Sequence, residues 1–284
     1  MITGTTRLYA IIGDPITHVR TPMAFNDYFL TRNIDAVCLP IHIGRDDLPS
    51  GWAGLKSIAN LDGFIVTAPH KAESARLCDR LEGDGVHTRV VNTIRREPDG
   101  SFSGTLLDGR GFVSGLIRQG HQVRGQRFYM AGAGGAGTAL AYALADAGAA
   151  ALTIHNRTRS KADKLVADVG AAYPGIDVRV GTADASGHAI AVNATSLGLK
   201  PHDGHSFNLA SADPSALIAE VVMKPDMTPL LIAAEQRGHS IHFGIHMLNS
   251  QLDLMMQFLG LDGSNARQAN VAELRNTVSE LRPR

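Results

Sequence analysis

Gly132, Gly134 and Gly137 fall at the spacing G-x-G-x-x-G inside residues 126–158, QRFYMAGAGGAGTALAYALADAGAAALTIHNRT. In such a pattern the first glycine permits a tight turn, the second lets backbone approach a pyrophosphate, and the third lets a helix pack on a strand. An anion would rest on the unpaired N–H groups of the helix N-terminus, where the helix dipole also favours negative charge. Glycine-rich loops are common, so the flanks decide. An apolar run at residues 128–131 precedes the turn, an Ala/Leu-rich stretch follows, and a second apolar run at residues 151–155 stops at Asn156-Arg157-Thr158. That is strand, turn, helix, strand. At the end of the second strand an acidic residue would bond an adenosine ribose 2′-hydroxyl, whereas a basic residue accommodates a 2′-phosphate. Arg157 offers a planar fork of donors for phosphate oxygens, with Arg159 and Lys161 close behind and no carboxylate at the turn. NADP is therefore expected over NAD; the competing reading makes Arg157 and Arg159 solvated surface charges.

Polar side chains also stand where apolar runs stop at Gly13-Asp14-Pro15-Ile16-Thr17-His18, Val66-Thr67-Ala68-Pro69-His70-Lys71, Val91-Asn92-Thr93 and Leu107-Asp108-Gly109. Ligands bind outside the carboxyl ends of strands in open α/β sheets, which makes these segments candidates for a second half-site. The 12 histidines invite a metal reading, above all His239, His242 and His246, or His202 and His205. The first three straddle Gly244, where strand-like residues give way to helical ones, so no common face is expected. No Cys or carboxylate cluster accompanies them, and no metal is expected.

The elements that must position these residues alternate. Strand-like runs at residues 8–12, 37–43, 63–67 and 91–94 are short, apolar and often β-branched, and between them residues 22–31, 46–57 and 71–81 have helical composition. Pro22 suits a first helical turn, where its missing N–H is not needed. Such alternation predicts a mostly parallel sheet covered by helices, a unit separate from the nucleotide unit. After the glycine turn, residues 161–172 read as helix, 178–180, 189–192 and 216–222 as strands, 229–237 and 244–259 as helices, and the C-terminus as a charged helix. Residues 200–206 read as a mobile loop.

With 284 residues, 44% of them hydrophobic, the chain can build two cores. A formal net charge of +0 shows no field for nucleic acid, a membrane surface or a polyanion. The 2 cysteines, Cys38 and Cys78, make neither a disulfide framework nor a metal pattern, and read as buried thiols in a reducing cytoplasm. No signal-peptide pattern or membrane-length apolar run is present.

The ordered motifs resemble the shikimate dehydrogenase family over almost the whole chain: Gly-x-Pro-x-x-His near the start, Val-Thr-x-Pro-x-Lys, Val-Asn-Thr, an Asp at the hinge, Gly-Ala-Gly-Gly-Ala, Asn-Arg-Thr, Asn-Ala-Thr-Ser-Leu-Gly, Pro-x-x-Thr-Pro-Leu-Leu and Gly-x-x-Met-Leu-x-x-Gln. The resemblance implies an α/β protein of two domains. One is a discontinuous N-terminal substrate domain (residues 1–108 and 244–284), the other a Rossmann-type NADP domain (109–243), with a cleft where substrate meets nicotinamide.

Carried over by position, Lys71 and Asp108 resemble the family's catalytic pair. Oxidising a secondary alcohol needs a base for the hydroxyl proton as hydride leaves carbon, and the reverse step needs the same group as acid. Asp108 would orient the ammonium and the substrate hydroxyl. Thr21, Thr67, Asn92 and Gln251 match substrate positions. Gly132, Ala133, Gly134, Gly135 and Ala136, with Asn156, Arg157 and Thr158, match the cofactor cradle; Thr195, Ser196, Leu197 and Gly244 match the nicotinamide side. His18 matches a family position that supports the cleft, and His70 departs from the usual aliphatic or aromatic residue and can face solvent. Other departures lie at the far end of the substrate. The family's His-Ser-x-Ser-Pro, whose hydroxyls hold a carboxylate, is here His18-Val19-Arg20-Thr21-Pro22; a polar pair ahead of the hinge Asp is Leu106-Leu107; an Asn is Ile65; and a Tyr is Met223, before Lys224-Pro225. The expected function is an NADP-dependent oxidoreductase acting on a secondary alcohol or ketone of a shikimate-like cyclic small molecule, with a homodimer compatible and shikimate itself a poor substrate. A quinate-type or divergent dehydrogenase, and a weakly active NADP-binding regulatory protein, remain alternatives.

Overall fold

The computed structural model describes residues 2–17 and 19–262; His18 and the expected C-terminal helix lie outside them. Within the described residues, one unit takes in the chain up to Leu81, Val91–Gly104 and the stretch from Leu252, and the other Glu82–Val90 and Thr105–Gln251.

The first unit runs β1 (Arg7–Gly13), α1 (Thr21–Thr31), β2 (Ala36–His42), α2 (Leu48–Ser57), β3 (Leu61–Val66), α3 (Lys71–Leu77) and β4 (Arg80–Glu82). The chain then passes through α4 (Asp84–Thr88) of the second unit and returns for β5 (Thr93–Arg96) and β6 (Phe102–Thr105). The sheet order is β2-β1-β3-β5-β6-β4. β1 is parallel to β2 and β3, but β5 runs antiparallel to β3, so the expected parallel character stops at β3. Trp52, Phe64 and Phe102 close the core edge-to-face with ring centroids 5.2–5.6 Å apart, a geometry that adds to their area burial. Of the two thiols Cys38 is buried and Cys78 half-buried, and burial pushes both up to about 12.

The second unit continues with α5 (Asp108–Arg118), β7 (Arg127–Ala131), α6 (Gly135–Asp146), β8 (Ala151–His155), α7 (Arg159–Ala172), β9 (Asp177–Val180), β10 (Ile190–Asn193), β11 (Leu217–Glu220), α8 (Pro229–Gln236), β12 (Ile241–His242) and the start of α9 (Ile245–Phe258), whose residues from Leu252 belong to the first unit. Its sheet order is β12-β11-β10-β7-β8-β9 with parallel pairings throughout. From β7 the strands progress outward one way and from β10 the other, which creates a switch point between them. Alternate residues of β7 feed opposite faces: Phe128 and Met130 pack with Phe112, Leu140 and Leu165, while Tyr129 and Ala131 pack with Leu230 and Leu231. α6 is buried almost all round because it is pressed between β-sheet and neighbouring helices, which its small Ala side chains allow. Thr228 accepts from the Leu231 N–H and Pro229 follows it, so α8 starts where the Thr-Pro pair predicts. No helix among the described residues is long and apolar enough to cross a membrane.

Candidate active site

The glycine turn leaves β7 at Gly132, whose φ of 119° lies in the left-handed region and whose N–H donates to the His155 carbonyl at 2.7 Å. A Cβ there would come within 2.5 Å of the Ala194 carbonyl oxygen, and one at Gly137 within 2.2 Å of the Gly132 oxygen. Both positions therefore require glycine, the first for the turn and the second for packing α6 on β7. Gly134 and Gly135 differ: a Cβ on either would meet nothing within 4 Å, so open space lies over the first turn of α6. That helix has no side-chain cap, and its leading amides are available to an anion. Asn156 fastens the turn, with Oδ1 accepting from the Ala133 N–H at 3.1 Å and Nδ2 donating to the Thr158 carbonyl at 2.8 Å. Arg157 and Thr158 are exposed beside it. The donor set fits a dinucleotide carrying a 2′-phosphate.

Across the switch point, Asn193 ends β10 and holds the next loop. Its Oδ1 accepts from the Thr195 N–H at 3.0 Å and the Thr195 hydroxyl at 2.7 Å, and its Nδ2 donates to the Leu197 carbonyl at 2.8 Å. Thr195, Ser196 and Leu197 thus form a folded edge, with Ser196 and Leu197 exposed. The loop expected to be mobile begins on a staple: Asp203 accepts from the Gly198 and Lys200 N–H groups at 2.9 and 3.0 Å. Gly244 is needed for close approach, since a Cβ there would lie 2.3 Å from the Val222 oxygen.

Two further expected residues of this unit meet directly. Gln251 Nε2 donates to Asp108 Oδ1 at 3.0 Å. Glycines on α5 make this approach possible: a Cβ at Gly111 would meet Gln251 Cγ at 2.5 Å and the Met247 oxygen at 2.8 Å, and one at Gly115 the His246 oxygen at 3.0 Å. Their i, i+4 spacing places both under α9.

In the first unit, Thr67, Lys71 and Asn92 are set by backbone bonds at the strand ends. Thr67 N–H donates to Ile12 O at 3.0 Å, Val66 N–H to Asn92 O at 2.8 Å, and Val91 N–H to Lys71 O at 3.1 Å. Lys71 opens α3 and is half-buried; Asn92 is buried; Thr21 opens α1. At the ends of β1 and β2, His42 Nε2 lies 2.9 Å from Asp14 Oδ1 and holds that carboxyl below its ordinary range.

Two expectations need correcting. His70 does not face solvent: it is 2% exposed, and its Nε2 lies 2.8 Å from the Ile43 carbonyl oxygen, so it anchors the start of α3. His242 and His246 do share surroundings, with ring centroids 4.8 Å apart and His121 5.8 Å from His242, because β12 turns directly into α9. No group of three His, Cys, Asp or Glu suited to a metal ion occurs among the described residues. Sequence reasoning also passed over the buried pair in which Asn193 Nδ2 donates to Glu220. A lone acid within the apolar run Leu217-Ile218-Ala219-Glu220-Val221-Val222 was the available signal.

Residues 11–94 match the family model described as the shikimate dehydrogenase substrate binding domain, and residues 116–184 that described as shikimate / quinate 5-dehydrogenase. The chain is 36% identical over 251 residues to the shikimate dehydrogenase (NADP(+)) of Acidiphilium cryptum, covering 88% of this chain and 89% of the relative. Among solved structures it is similar to a shikimate 5-dehydrogenase of Listeria monocytogenes in complex with shikimate and NAD, at a TM-score of 0.83 and 27% identity over 93% of this chain and 94% of that one. It is also similar to ligand-free 5-ketofructose reductase of Gluconobacter sp. strain CHM43, at a TM-score of 0.81 and 26% identity over 89% of this chain and 92% of that one.

Proposed function

Because the chain belongs to the shikimate dehydrogenase family, we infer that it is an NADP-dependent oxidoreductase working on a secondary alcohol or its ketone in a shikimate-like small molecule. The observation that carries this is the cradle of the second unit: a glycine turn with open space over α6, tied by Asn156 to a strand end that presents Arg157. Gly132, Ala133, Gly134, Gly135 and Ala136 would take the pyrophosphate, Arg157 and Thr158 the 2′-phosphate, and Thr195, Ser196, Leu197 and Gly244 the nicotinamide end. NADP, when bound, supplies the hydride acceptor. Lys71 takes the hydroxyl proton in oxidation and returns it in reduction. Asp108, held by Gln251, orients the reacting hydroxyl; Asn92 and Gln251 bind the ring hydroxyls, Thr67 contacts the substrate, and Thr21 keeps one hydroxyl for its far end.

A narrower reading concerns the far end of the substrate. Ile65, Leu106 and Leu107 are 2–4% exposed, so no polar group from these positions serves a carboxylate. A carboxylate without donors loses charge-assisted bonds of about 1.5–3 kcal/mol each. The substrate then keeps the reacting alcohol but has a less polar or differently placed far end. The similarity to a ketofructose reductase supports this, because that enzyme's named substrate is a keto sugar. NADPH absorbance with shikimate, quinate, their ketones, esterified analogues and 5-ketofructose tests both readings. No turnover of any of them would reject the oxidoreductase reading, and a low-micromolar KM for shikimate would reject the narrower one. If Arg20→Ala then abolished that affinity, Arg20 would be the replacement donor.

The reading includes a cytoplasmic homodimer, supported by two free thiols and by exposed Met23 and Leu30 on α1. A monomeric mass by light scattering at assay concentration would remove the dimer.

A further inference from the structure

Glu220, the last residue of β11, is a 0% exposed carboxylate to which no role has been given so far. Its oxygens accept from Asn193 Nδ2 at 2.9 and 3.0 Å, from the Val221 and Val222 N–H groups at 2.9 and 3.0 Å, and from the Thr228 hydroxyl at 3.0 Å. Burial pushes its pKa up, and the bonds from Asn193, Val222, Thr228 and Val221 oppose that rise. Every one of these donors is neutral. A carboxylate buried this way carries a large desolvation penalty that only such a full set of bonds offsets, and an apolar residue would continue the strand at less cost.

The donors lie on different segments, and each segment leads to an edge of the cofactor side. Asn193 holds Thr195 and Leu197. Gly198, with φ of 108°, brings its loop against Thr228, and a Cβ there would lie 3.1 Å from Thr228 Cβ. The Val222 oxygen lies against Gly244, and the Ala194 oxygen against Gly132. The segments 193–198 and 221–228 follow β10 and β11, on the opposite side of the switch point from the Asn156-Arg157-Thr158 end of β8. In a sheet of this order the two halves of a dinucleotide lie on opposite sides of that point.

We propose that Glu220 is a positioning residue for the nicotinamide half of the cofactor, fixing the loops after β10 and β11 in one arrangement while leaving the 2′-phosphate end untouched. This rests on the NADP reading above. The consequence is a division of the cofactor into two separately supported halves, one set by Asn156 and the other by Glu220.

The test compares NADPH, followed by its fluorescence, with adenosine 2′,5′-bisphosphate, a fragment lacking the nicotinamide, followed by calorimetry. Glu220→Gln puts a donor among donors; Glu220→Asp keeps the charge; Gly198→Ala leaves Glu220 in place but forces the loop away from Thr228. For Glu220→Gln we expect NADPH affinity to fall roughly tenfold or more, the scale of a lost charge-assisted bond, with the fragment's affinity within about twofold of wild type. Glu220→Asp should recover part of the loss, and Gly198→Ala should reproduce the pattern if Glu220→Gln does not fold. Equal weakening of NADPH and fragment, or weakening of neither, overturns the proposal. Failure of the wild-type protein to bind either ligand would instead overturn the NADP reading on which it rests.

Discussion

Replacing Gly111 with Ala isolates the packing that brings Gln251 to Asp108. The added methyl would sit 2.5 Å from Gln251 Cγ and 2.8 Å from the Met247 oxygen, against 3.4 Å for an ordinary contact, so Gln251 must shift and the α9 backbone must retreat by about 0.6 Å at that point. Overpacking of this kind costs about 1–3 kcal/mol. The 3.0 Å bond from Gln251 to Asp108 is then stretched or lost; a hydrogen bond to a charged acceptor is worth about 1.5–3 kcal/mol, and partial exposure favours the lower end. The expected loss is roughly 2–5 kcal/mol, or a Tm lowered by roughly 5–15 °C for a unit of this size. The same chemical change at Gly170 should have the opposite sign. Gly170 lies in α7, and a Cβ there meets nothing within 4 Å, so Ala gains about 0.5–1 kcal/mol of helix propensity. Circular dichroism melts of both variants and NADPH-linked rates of Gly111→Ala make the comparison, with kcat/KM expected to fall. A Gly111→Ala protein as stable as wild type would show that α5 and α9 do not touch at this point. One that is destabilised but retains full kcat/KM would show that the Asp108–Gln251 pair lies outside the working site.

Arg157→Ala should weaken NADP by about 1.5–3 kcal/mol and leave NAD nearly unchanged; equal losses in titrations of the two would remove the 2′-phosphate contact. Lys71→Ala should lower kcat by roughly 10²–10⁴-fold with a smaller change in KM, and Asp108→Asn should also slow turnover; near-normal kcat in Lys71→Ala on the true substrate would end its proton-transfer role. His242 supplies a pH prediction. Burial, then His246 and His121, drive its pKa down from 6.5 to about 3. Between those values the unfolded chain binds a proton that the native chain does not, so stability falls as pH drops below 6.5 and stops falling near 3. His242→Phe should move the acid-unfolding midpoint to lower pH; an unmoved midpoint would mean that His242 is accessible to protons in the folded state.

Much of this architecture was legible because local pattern and tertiary role agree. The run Ala151–His155 is a strand with the bounds its composition predicts, and the Thr228-Pro229 pair starts α8 as a capped helix should. The dinucleotide cradle is local too, since its glycines and both flanking strands lie within one short stretch. Reading failed where long-range packing decides. α5 contains Gly109, Gly111 and Gly115, poor helix formers, and no element is expected there from the sequence. It is helical because those glycines admit α6 and α9 at backbone distance, and nothing local announces that. β4, β6 and α4 are too short to show a period. His70 read as exposed on residue type, yet the Ile43 carbonyl that satisfies it comes from a distant segment. At the site, Arg157 was reasoned from charge and position, whereas Lys71, Asn92 and Gln251 depended on family resemblance, because their spacing alone implies no shared surface.

Asn156 and Arg157 divide fastening from reading. Asn156 is bound on both sides, to Ala133 and Thr158, while its neighbour Arg157 is exposed beside that link. In evolutionary terms the two traits are therefore separable. If Arg157 makes the 2′-phosphate contact proposed above, a lineage can weaken or restore that contact at residue 157 without passing through an ancestor whose turn has come undone. Change at 156 offers no such route, since the loss would reach both cofactors at once. On that reading, relatives that differ in cofactor preference are expected to vary at the exposed positions 157 and 158 while holding 156 constant.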